Sequence, residues 1–239
     1  MKVVTWNCNG ALRNKILPLE ELRADIYIIQ ECEDPQRSKS AEYLEWAGNY
    51  FWVGNSKNKG LGVFLKNGLS ARALPWTNIY EGHEVKLFLP IEVDGWLQLL
   101  GVWTLQNNSP TFRYIGQFWK FWKYLNLNRH LFRKTIIAGD LNSNCQWDVW
   151  DRWWNHSDVV GLLNEQNIIS AYHSWYKELQ GEEGLPTFFH QKNLQKPYHI
   201  DYIFASQPFI ESILDFEVGR HENWLQWSDQ MPLCMEFEE

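Results

Sequence analysis

The stretch Thr135-Ile136-Ile137-Ala138-Gly139-Asp140-Leu141-Asn142-Ser143-Asn144 decides how this chain is read. Thr135 to Ala138 is β-prone and apolar, and it runs into a glycine, a carboxylate and two amides. That is a short strand delivering hydrogen-bonding groups to its own C-terminal end. One such end means little, because Asp or Asn after a strand is most often a turn former. The pattern recurs, however. Val3 to Trp6 ends in Asn7-Cys8-Asn9-Gly10, and Ile26 to Gln30 ends in Glu31. Tyr198-His199-Ile200-Asp201-Tyr202 opens the run Ile200 to Ala205, and Trp227-Ser228-Asp229-Gln230 precedes Leu233 to Phe237. Five polar strand ends can converge on one rim of a packed sheet.

Working outward, Tyr50 to Val53, Gly62 to Leu65, Val85 to Leu89 and Leu97 to Trp103 are further expected strands. Leu12 to Leu22, Tyr43 to Ala47, Phe112 to Phe132 and Val149 to Glu165 carry apolar residues at helical spacing. Strands alternate with helices, without repeats, linkers or low-complexity tracts, so the expectation is one α/β domain over residues 1–239.

Composition narrows the function. The chain has 22 Lys+Arg against 29 Asp+Glu, a net charge of −7. That balance does not suit a protein that coats DNA by bulk charge, but a nuclease must hold carboxylates for a metal ion. No apolar run approaches the roughly 18 residues of a membrane span, and the start MKVVTWNCNG lacks the basic and apolar regions of an export signal. Cys8, Cys32, Cys145 and Cys234 are widely spaced, with no CxxC pair, which argues against a zinc or disulfide framework. A cytoplasmic protein with reduced thiols is expected, with no membrane contact and no obligate protein partner.

The strand-end groups point to one chemistry. There is no GxSxG, no phosphate-binding glycine loop and no Cys near a His in sequence. There are hard oxygen donors, Glu31 and Asp229 with the amides of Asn7 and Asn9, the set that Mg²⁺ or Mn²⁺ prefers. Asp140 could orient or deprotonate an attacking water, and Asn142 could hydrogen-bond that water or a phosphate oxygen. Metal-assisted phosphodiester hydrolysis fits these parts.

With these residues in place, the chain resembles the endonuclease/exonuclease/phosphatase superfamily, which includes DNase I, exonuclease III-type abasic endonucleases, sphingomyelinases and inositol polyphosphate phosphatases. The matching elements are TWNCNG (5–10), IIQECE (28–33), GLGVFLK (60–66), IIAGDLNSN (136–144), PTFFH (186–190), HIDYIFAS (199–206) and SDQMPL (228–233), in the family's order along nearly the whole chain. The resemblance implies a four-layer αββα sandwich of two packed mixed sheets flanked by helices. It implies a divalent cation on Glu31, with Asn7 and Asp229 beside it, and Asp140 and Asn142 flanking the nucleophilic water. It also implies that Asp201 buttresses a catalytic histidine, which in the family follows the Asp of an SDH triplet.

Here that triplet is Ser228-Asp229-Gln230, so an amide stands where the imidazole is expected. A Gln side chain can offer a neutral hydrogen bond but cannot shuttle a proton or carry positive charge. Losing a general acid or base costs about 10²–10⁴-fold in rate, so this form is expected to bind metal and substrate and to turn over slowly or not at all. His and Gln codons differ by one base, so the Gln suits either an introduced replacement or a natural pseudoenzyme. Strand alternation places His199 on the face of Asp201, as a phosphate contact or a structural group. Thr104 occupies the position where relatives often carry a Tyr or His near the scissile phosphate.

Two segments bear on the substrate. Between Arg113 and Lys134, the cations Arg113, Lys120, Lys123, Arg129, Arg133 and Lys134 alternate with aromatics and no acid intervenes. Ile115, Phe118, Trp119, Trp122 and Leu125 follow helical spacing, which favours an amphipathic outer helix with solvated lysines over a nucleic-acid wall. After Asn144, Trp147, Trp150 and Trp154 share a helical face and are expected in the core. Trp153 with Arg152 is left as the exposed pair for stacking or cation–π contact, and Asn144 is a third candidate substrate contact. Inositol phosphatases place arginines where Asn144 and Tyr202 stand, and no membrane-inserting hairpin of a sphingomyelinase is seen. DNA is therefore the favoured substrate over RNA. The alternatives are an inactive nucleic-acid-binding homologue and a phosphodiesterase or phosphatase for a small phosphorylated or lipid substrate. A carbohydrate-binding module would account for the tryptophans but has no use for the strand-end carboxylates.

Overall fold

The computed structural model describes residues 1–76, 79–80, 83–106, 111–127 and 134–238. Its strands are β1 (Lys2–Asn7), β2 (Ile26–Cys32), β3 (Asn49–Ser56), β4 (Lys59–Leu65), β5 (Ala71–Ala73), β6 (Ile79–Tyr80), β7 (His83–Glu84), β8 (Phe88–Val93), β9 (Leu97–Trp103), β10 (Thr135–Asp140), β11 (Ile168–Ser170), β12 (Phe188–Phe189), β13 (Pro197–Tyr198), β14 (Asp201–Ser206), β15 (Ile213–Val218) and β16 (Leu233–Phe237). The helices are α1 (Ile16–Glu20), α2 (Ala41–Ala47), α3 (Ile115–Leu127), α4 (His156–Asn164), α5 (Ala171–Tyr176), α6 (Gln207–Glu211) and α7 (His221–Trp224).

Two six-stranded mixed sheets form, in the orders β15-β16-β1-β2-β4-β3 and β11-β14-β10-β9-β8-β5. Side-chain alternation along their strands builds four layers. Val3, Ile26, Ile28 and Val63 of the first sheet meet Ile91, Leu97, Leu99, Ile136, Ala138 and Ile203 of the second in the central core. Their alternates Val4, Trp6, Tyr27 and Ile29 face outward under Leu19, Tyr43, Trp46 and Trp224. On the other side Leu100, Val102, Ile137, Tyr202 and Phe204 are covered by Phe118, Trp122, Leu125, Val159 and Leu163. Strands buried on both faces are continuously apolar, as Thr135 to Ala138 is. The expected αββα sandwich is the observed fold, and most of the 15 tryptophans serve it. No helix among the described residues is long and apolar enough to cross a membrane, and the four cysteines are free thiols.

Several boundaries differ from the sequence expectation. The strand placed at Val85 to Leu89 lies at Phe88–Val93, running through Pro90. Pro90 O accepts from Leu74 N at 3.0 Å, so the missing proline N–H falls on the same edge, just beyond the last residue of short β5, and costs no ladder bond. The expected helix Val149 to Glu165 starts only at His156, because the Asp148 carboxylate takes the N–H groups of His156 (2.8 Å) and Ser157 (3.1 Å) and ends the preceding loop. On α3, Ile115, Phe118, Trp119, Trp122 and Leu125 are buried as expected. Lys120 is not solvated, being buried with its ammonium 4.2 Å from the centre of the Phe112 ring. Arg129, Phe132 and Arg133 of that segment lie outside the described residues.

Candidate active site

The polar strand ends meet at one end of the sandwich. Asn7 closes β1 and Asp140 closes β10, so the two sheets present an amide and a carboxylate to each other across the core. Asn7 Nδ2 donates to Asp140 Oδ2 at 2.9 Å. Asp201 opens β14 as the antiparallel partner of Asp140. Gln230, just before β16, donates from Nε2 to the same Asp140 oxygen at 3.2 Å. Asp140 Oδ1 accepts the N–H of Asn142 at 2.8 Å, which wraps the loop back over the carboxylate. All four of Asn7, Asp140, Asp201 and Gln230 are buried.

Local backbone explains why these side chains aim inward. Glu31 sits at the irregularity where β2 slips against β4 between Gln30 and Cys32, with φ of 61°. A bulge of this kind re-aims one side chain out of the pleat, and here it frees the Glu31 carboxylate toward the sheet end, where Lys59 forms an ion pair with it. Gly139, before Asp140, has φ of 152°, and a Cβ there would stand 1.8 Å from the Val102 carbonyl oxygen. Only glycine lets β10 lie this close to β9 at the point where the carboxylate emerges. Asn142 follows at φ 46°, its amide donating to Thr104 O at 3.0 Å. The segment carrying Asp229 and Gln230 is anchored by Trp6 Nε1 on Gln230 O (2.8 Å) and by Ser228 Oγ, which donates to Asn7 O (2.8 Å) and accepts from Gln230 N (3.0 Å).

Burial, more than mutual repulsion, sets the electrostatics of the cluster. Burial pushes the Asp140 carboxyl up to about 6, against the hydrogen bonds of Asn7, Asn142 and Gln230 that favour its ionised form. Burial and then repulsion from Asp140 lift Asp201 well above the carboxylate range. Among the described residues neither oxygen of Asp201, nor Gln230 Oε1, has a geometric hydrogen-bond partner, and the neighbouring Thr187 side chain only partly offsets the rise at Asp201. Two adjacent buried carboxyls disfavour each other's ionisation, which raises the proton affinity of both. Half-buried Asp229 is also raised, first by burial and then by Glu31, and is eased by Lys192 and His190. The donors that remain fit a hard divalent cation. The hard oxygen donors at this end of the sheets are Glu31 and Asp229, which repel each other, and the Asn7 amide oxygen. No trio of His, Cys, Asp or Glu at ligand separation occurs among the described residues. That set suits an ion that takes one or two carboxylates and keeps its remaining positions for water and phosphate. Exposed Asn9 contributes its N–H to Asn7 Oδ1 at 3.0 Å, fixing that amide's orientation.

Three expected site residues lie elsewhere. His199 does not share the face of Asp201. It precedes the regular pleat of β14, and its ring packs on Tyr172 (4.5 Å) and Tyr202 (5.1 Å), with Nδ1 2.9 Å from Leu185 O. Burial holds its imidazole down at about 4. Thr104 is fully buried, and its hydroxyl donates to Leu141 O. It ties the loop rather than facing a phosphate. Asn144 is buried too, with Nδ2 donating to His199 O (3.0 Å), Tyr202 OH (3.2 Å) and Glu183 Oε2 (3.1 Å) and Oδ1 accepting from Gln146 N (3.0 Å). Behind it, burial alone would raise Glu183, but His173 and the Gly181 N–H outweigh that and hold it at about 2. Thus Asn144 and a buried His–Glu network pin the loop that carries Asp140 and Asn142.

The aromatic segment also departs from its helical reading. Residues 148–155 form a loop, Trp150 is exposed instead of buried, and Trp153 is exposed as expected. Arg152 spends its guanidinium within the loop, on Asn155 Oδ1 (2.8 Å) and Trp147 O (3.2 Å). The sequence reading missed Lys59, Thr187 and Ser228. Thr187 accepts the N–H groups of Ile200 and Asp201 at 3.0 and 3.1 Å and so sets where β14 begins. Its place in Pro186-Thr187-Phe188 just before a strand was the available signal.

Comparison with known proteins supports the fold. No curated protein sequence matches the chain. Among solved structures, an AP endonuclease from Archaeoglobus fulgidus superposes with a TM-score of 0.77 at 16% identity, over 100% of both chains. A 3′ phosphatase, NExo, from Neisseria, bound to a product DNA hairpin, gives 0.73 at 16% identity, again over 100% of both chains. The 3′-5′ exonuclease NExo from Neisseria meningitidis gives 0.72 at 19% with the same coverage. The model of the Endonuclease/Exonuclease/phosphatase family matches residues 4–213, from β1 through β14 to the start of β15. The chain therefore belongs to the Endonuclease/Exonuclease/phosphatase family.

Proposed function

We propose that this chain is a divalent-cation-dependent phosphodiesterase acting on nucleic acid, with DNA the favoured substrate over RNA. The observation that carries the reading is the meeting of Asn7, Asp140, Asp201 and Gln230 in one buried cluster beside Glu31 and Asp229. Glu31, Asp229 and the Asn7 amide oxygen would hold Mg²⁺ or Mn²⁺. When bound, such a cation supplies charge withdrawal from phosphate oxygens and a more acidic water. Asp140, with its proton affinity raised to about 6, is a base matched to neutral pH and takes the proton of the attacking water. Asn142 is held against that carboxylate and leaves its amide oxygen to orient the water. Lys59 pairs with Glu31, and Lys192 and His190 act on Asp229, a setting that favours a polyanion near the site.

Gln230 limits this form. Its amide can hydrogen-bond a phosphate oxygen or Asp140, but it exchanges no proton, so turnover is slow. A second reading, a nucleic-acid-binding homologue without turnover, is favoured by the same Gln230 and by the ion pair of Lys59 with Glu31. A substrate panel separates the two. Gln230→His and the present chain are incubated with duplex DNA, single-stranded DNA, RNA and inositol phosphates in Mg²⁺. The first reading predicts DNA cleavage that rises in the variant. Binding of DNA without product in either protein supports the second, and turnover of inositol phosphates alone refutes both.

A further inference from the structure

The loop after the catalytic strand carries Trp147, Trp150 and Trp153, which are 42%, 95% and 65% exposed. Apolar side chains of this size on a loose loop would need no explanation, but this loop is not loose. The Asn155 carboxamide accepts from Val149 N (2.9 Å) and Arg152 Nε (2.8 Å) and donates to Val149 O (3.1 Å) and Arg152 O (2.6 Å). Asp148 caps α4 from the same loop. A buried amide and a carboxylate thus hold a fixed backbone; Trp147 leans on Tyr198 (5.3 Å) and Trp153 stands edge-on to Trp154 (5.0 Å), while Trp150 is left almost wholly in water. A rigid scaffold that keeps large flat rings in water is pre-organised for stacking.

Continuity with the site identifies what stacks. Phe188 forms a β-bridge with Gln230. Its ring lies 6.2 Å from that of Tyr198, and Tyr198 lies 5.3 Å from Trp147. A run of aromatic rings therefore leads from Phe188, beside Gln230, outward to Trp147 on the loop that also carries Trp150 and Trp153, while Lys192 and His190 act on Asp229. Aromatic faces next to cations, leading to a phosphodiester site, match a strand whose phosphates lie along the cations and whose bases lie on the rings. Paired bases within a duplex already stack on each other and offer no free face.

We propose that Trp147, Trp150 and Trp153 form a stacking strip for unpaired bases, so that the substrate enters the site as a single strand. This inference rests on the nuclease reading above and names the form of its substrate.

The test is equilibrium binding by fluorescence anisotropy in EDTA, so that cleavage plays no part. The probes are a labelled short oligothymidylate, the matching RNA oligomer and a blunt duplex of equal length. The chain should bind the single strands more tightly than the duplex. Trp150→Ala should weaken single-strand binding by about tenfold or more, Trp150→Phe should retain it within about threefold, and duplex affinity should not move. Single-strand affinity unchanged in Trp150→Ala and Trp153→Ala, or tighter binding of the duplex, overturns the strip and leaves the nuclease reading standing. Failure to bind any nucleic acid overturns both. Sedimentation of the unmodified chain closes the remaining route, because a dimer abolished by Trp150→Ala would assign the indoles to a second copy of the chain instead.

Discussion

Replacing Gln230 by His tests the reasoning about the buried cluster at its weakest point. In the present chain Gln230 turns its amide nitrogen to Asp140 at 3.2 Å, which leaves its own Oε1 and both oxygens of Asp201 buried without hydrogen-bond partners among the described residues. Each unsatisfied buried group costs about 1–3 kcal/mol, and burial with repulsion from Asp140 raises the proton affinity of Asp201. An imidazole at this position carries an N–H for Asp201 and a second nitrogen for the open side of the site. Asp201 can then ionise against a positive partner, and a group able to move a proton is regained. The expected result is a rise in Mg²⁺-dependent DNA cleavage of about 10²–10⁴-fold. The assay is the initial rate on end-labelled DNA from pH 5 to 9 for the present chain, Gln230→His, and Gln230→His combined with Asp201→Asn. The double variant should lose most of the gain, because an asparagine cannot hold the imidazole in its charged form. A gain below about tenfold, or one that survives Asp201→Asn, refutes the argument.

Three further outcomes follow from geometry. Gly139→Ala puts a Cβ 1.8 Å from Val102 O at a φ that L-residues rarely adopt, so it should cost more than about 4 kcal/mol and yield insoluble or unfolded protein, whereas a soluble variant of normal Tm contradicts the close β9–β10 approach. Asn144→Ala removes four hydrogen bonds from the loop behind Asp140 and should lower Tm by roughly 4–12 °C, at about 2–3 kcal/mol; calorimetry showing no shift would return Asn144 to the substrate. Burial holds the His156 imidazole down at about 4, so the folded chain binds fewer protons there than the unfolded chain. This group's stabilisation is complete above pH 6.5 and is lost as pH falls toward 4, about 2 kcal/mol of it between pH 6.5 and 5. The raised carboxyls of Asp140 and Asp201 act in the opposite sense, so the readout is the difference between urea melts of the unmodified chain and His156→Gln. Identical pH slopes count against a neutral buried imidazole.

The parts of this molecule that were legible in sequence are those where one residue type has one physical use. Apolar runs closed by Asn7, Glu31 and Asp140, and one opened by Asp201, marked the strand ends, and the sandwich follows from burying both faces of those strands. Trp6, Trp46, Trp119 and Trp122 were legible as packing because they sit at helix or strand periodicity. Periodicity misled where a side chain, rather than propensity, ended an element. Asp148 and Asn155 stop the helical reading of the tryptophan segment, and a helical wheel would have buried Trp150. His199 was misassigned because two residues of strand alternation were assumed before β14, whereas Thr187 starts the strand at Asp201. Lys59 gave no signal at all, since its ion pair with Glu31 depends on the β2–β4 register, which is a property of two strands and not of one stretch of chain.

The account stands most directly on Glu31 and the cation it is assigned. The deciding measurement is the cleavage rate of labelled DNA by Gln230→His at fixed Mg²⁺, with and without EDTA, set beside the same protein carrying Glu31→Ala. The account predicts cleavage that stops in EDTA, returns when Mg²⁺ is restored in excess, and falls by at least about 10²-fold with Glu31→Ala. Cleavage that persists in EDTA, or that is indifferent to Glu31→Ala, would contradict it.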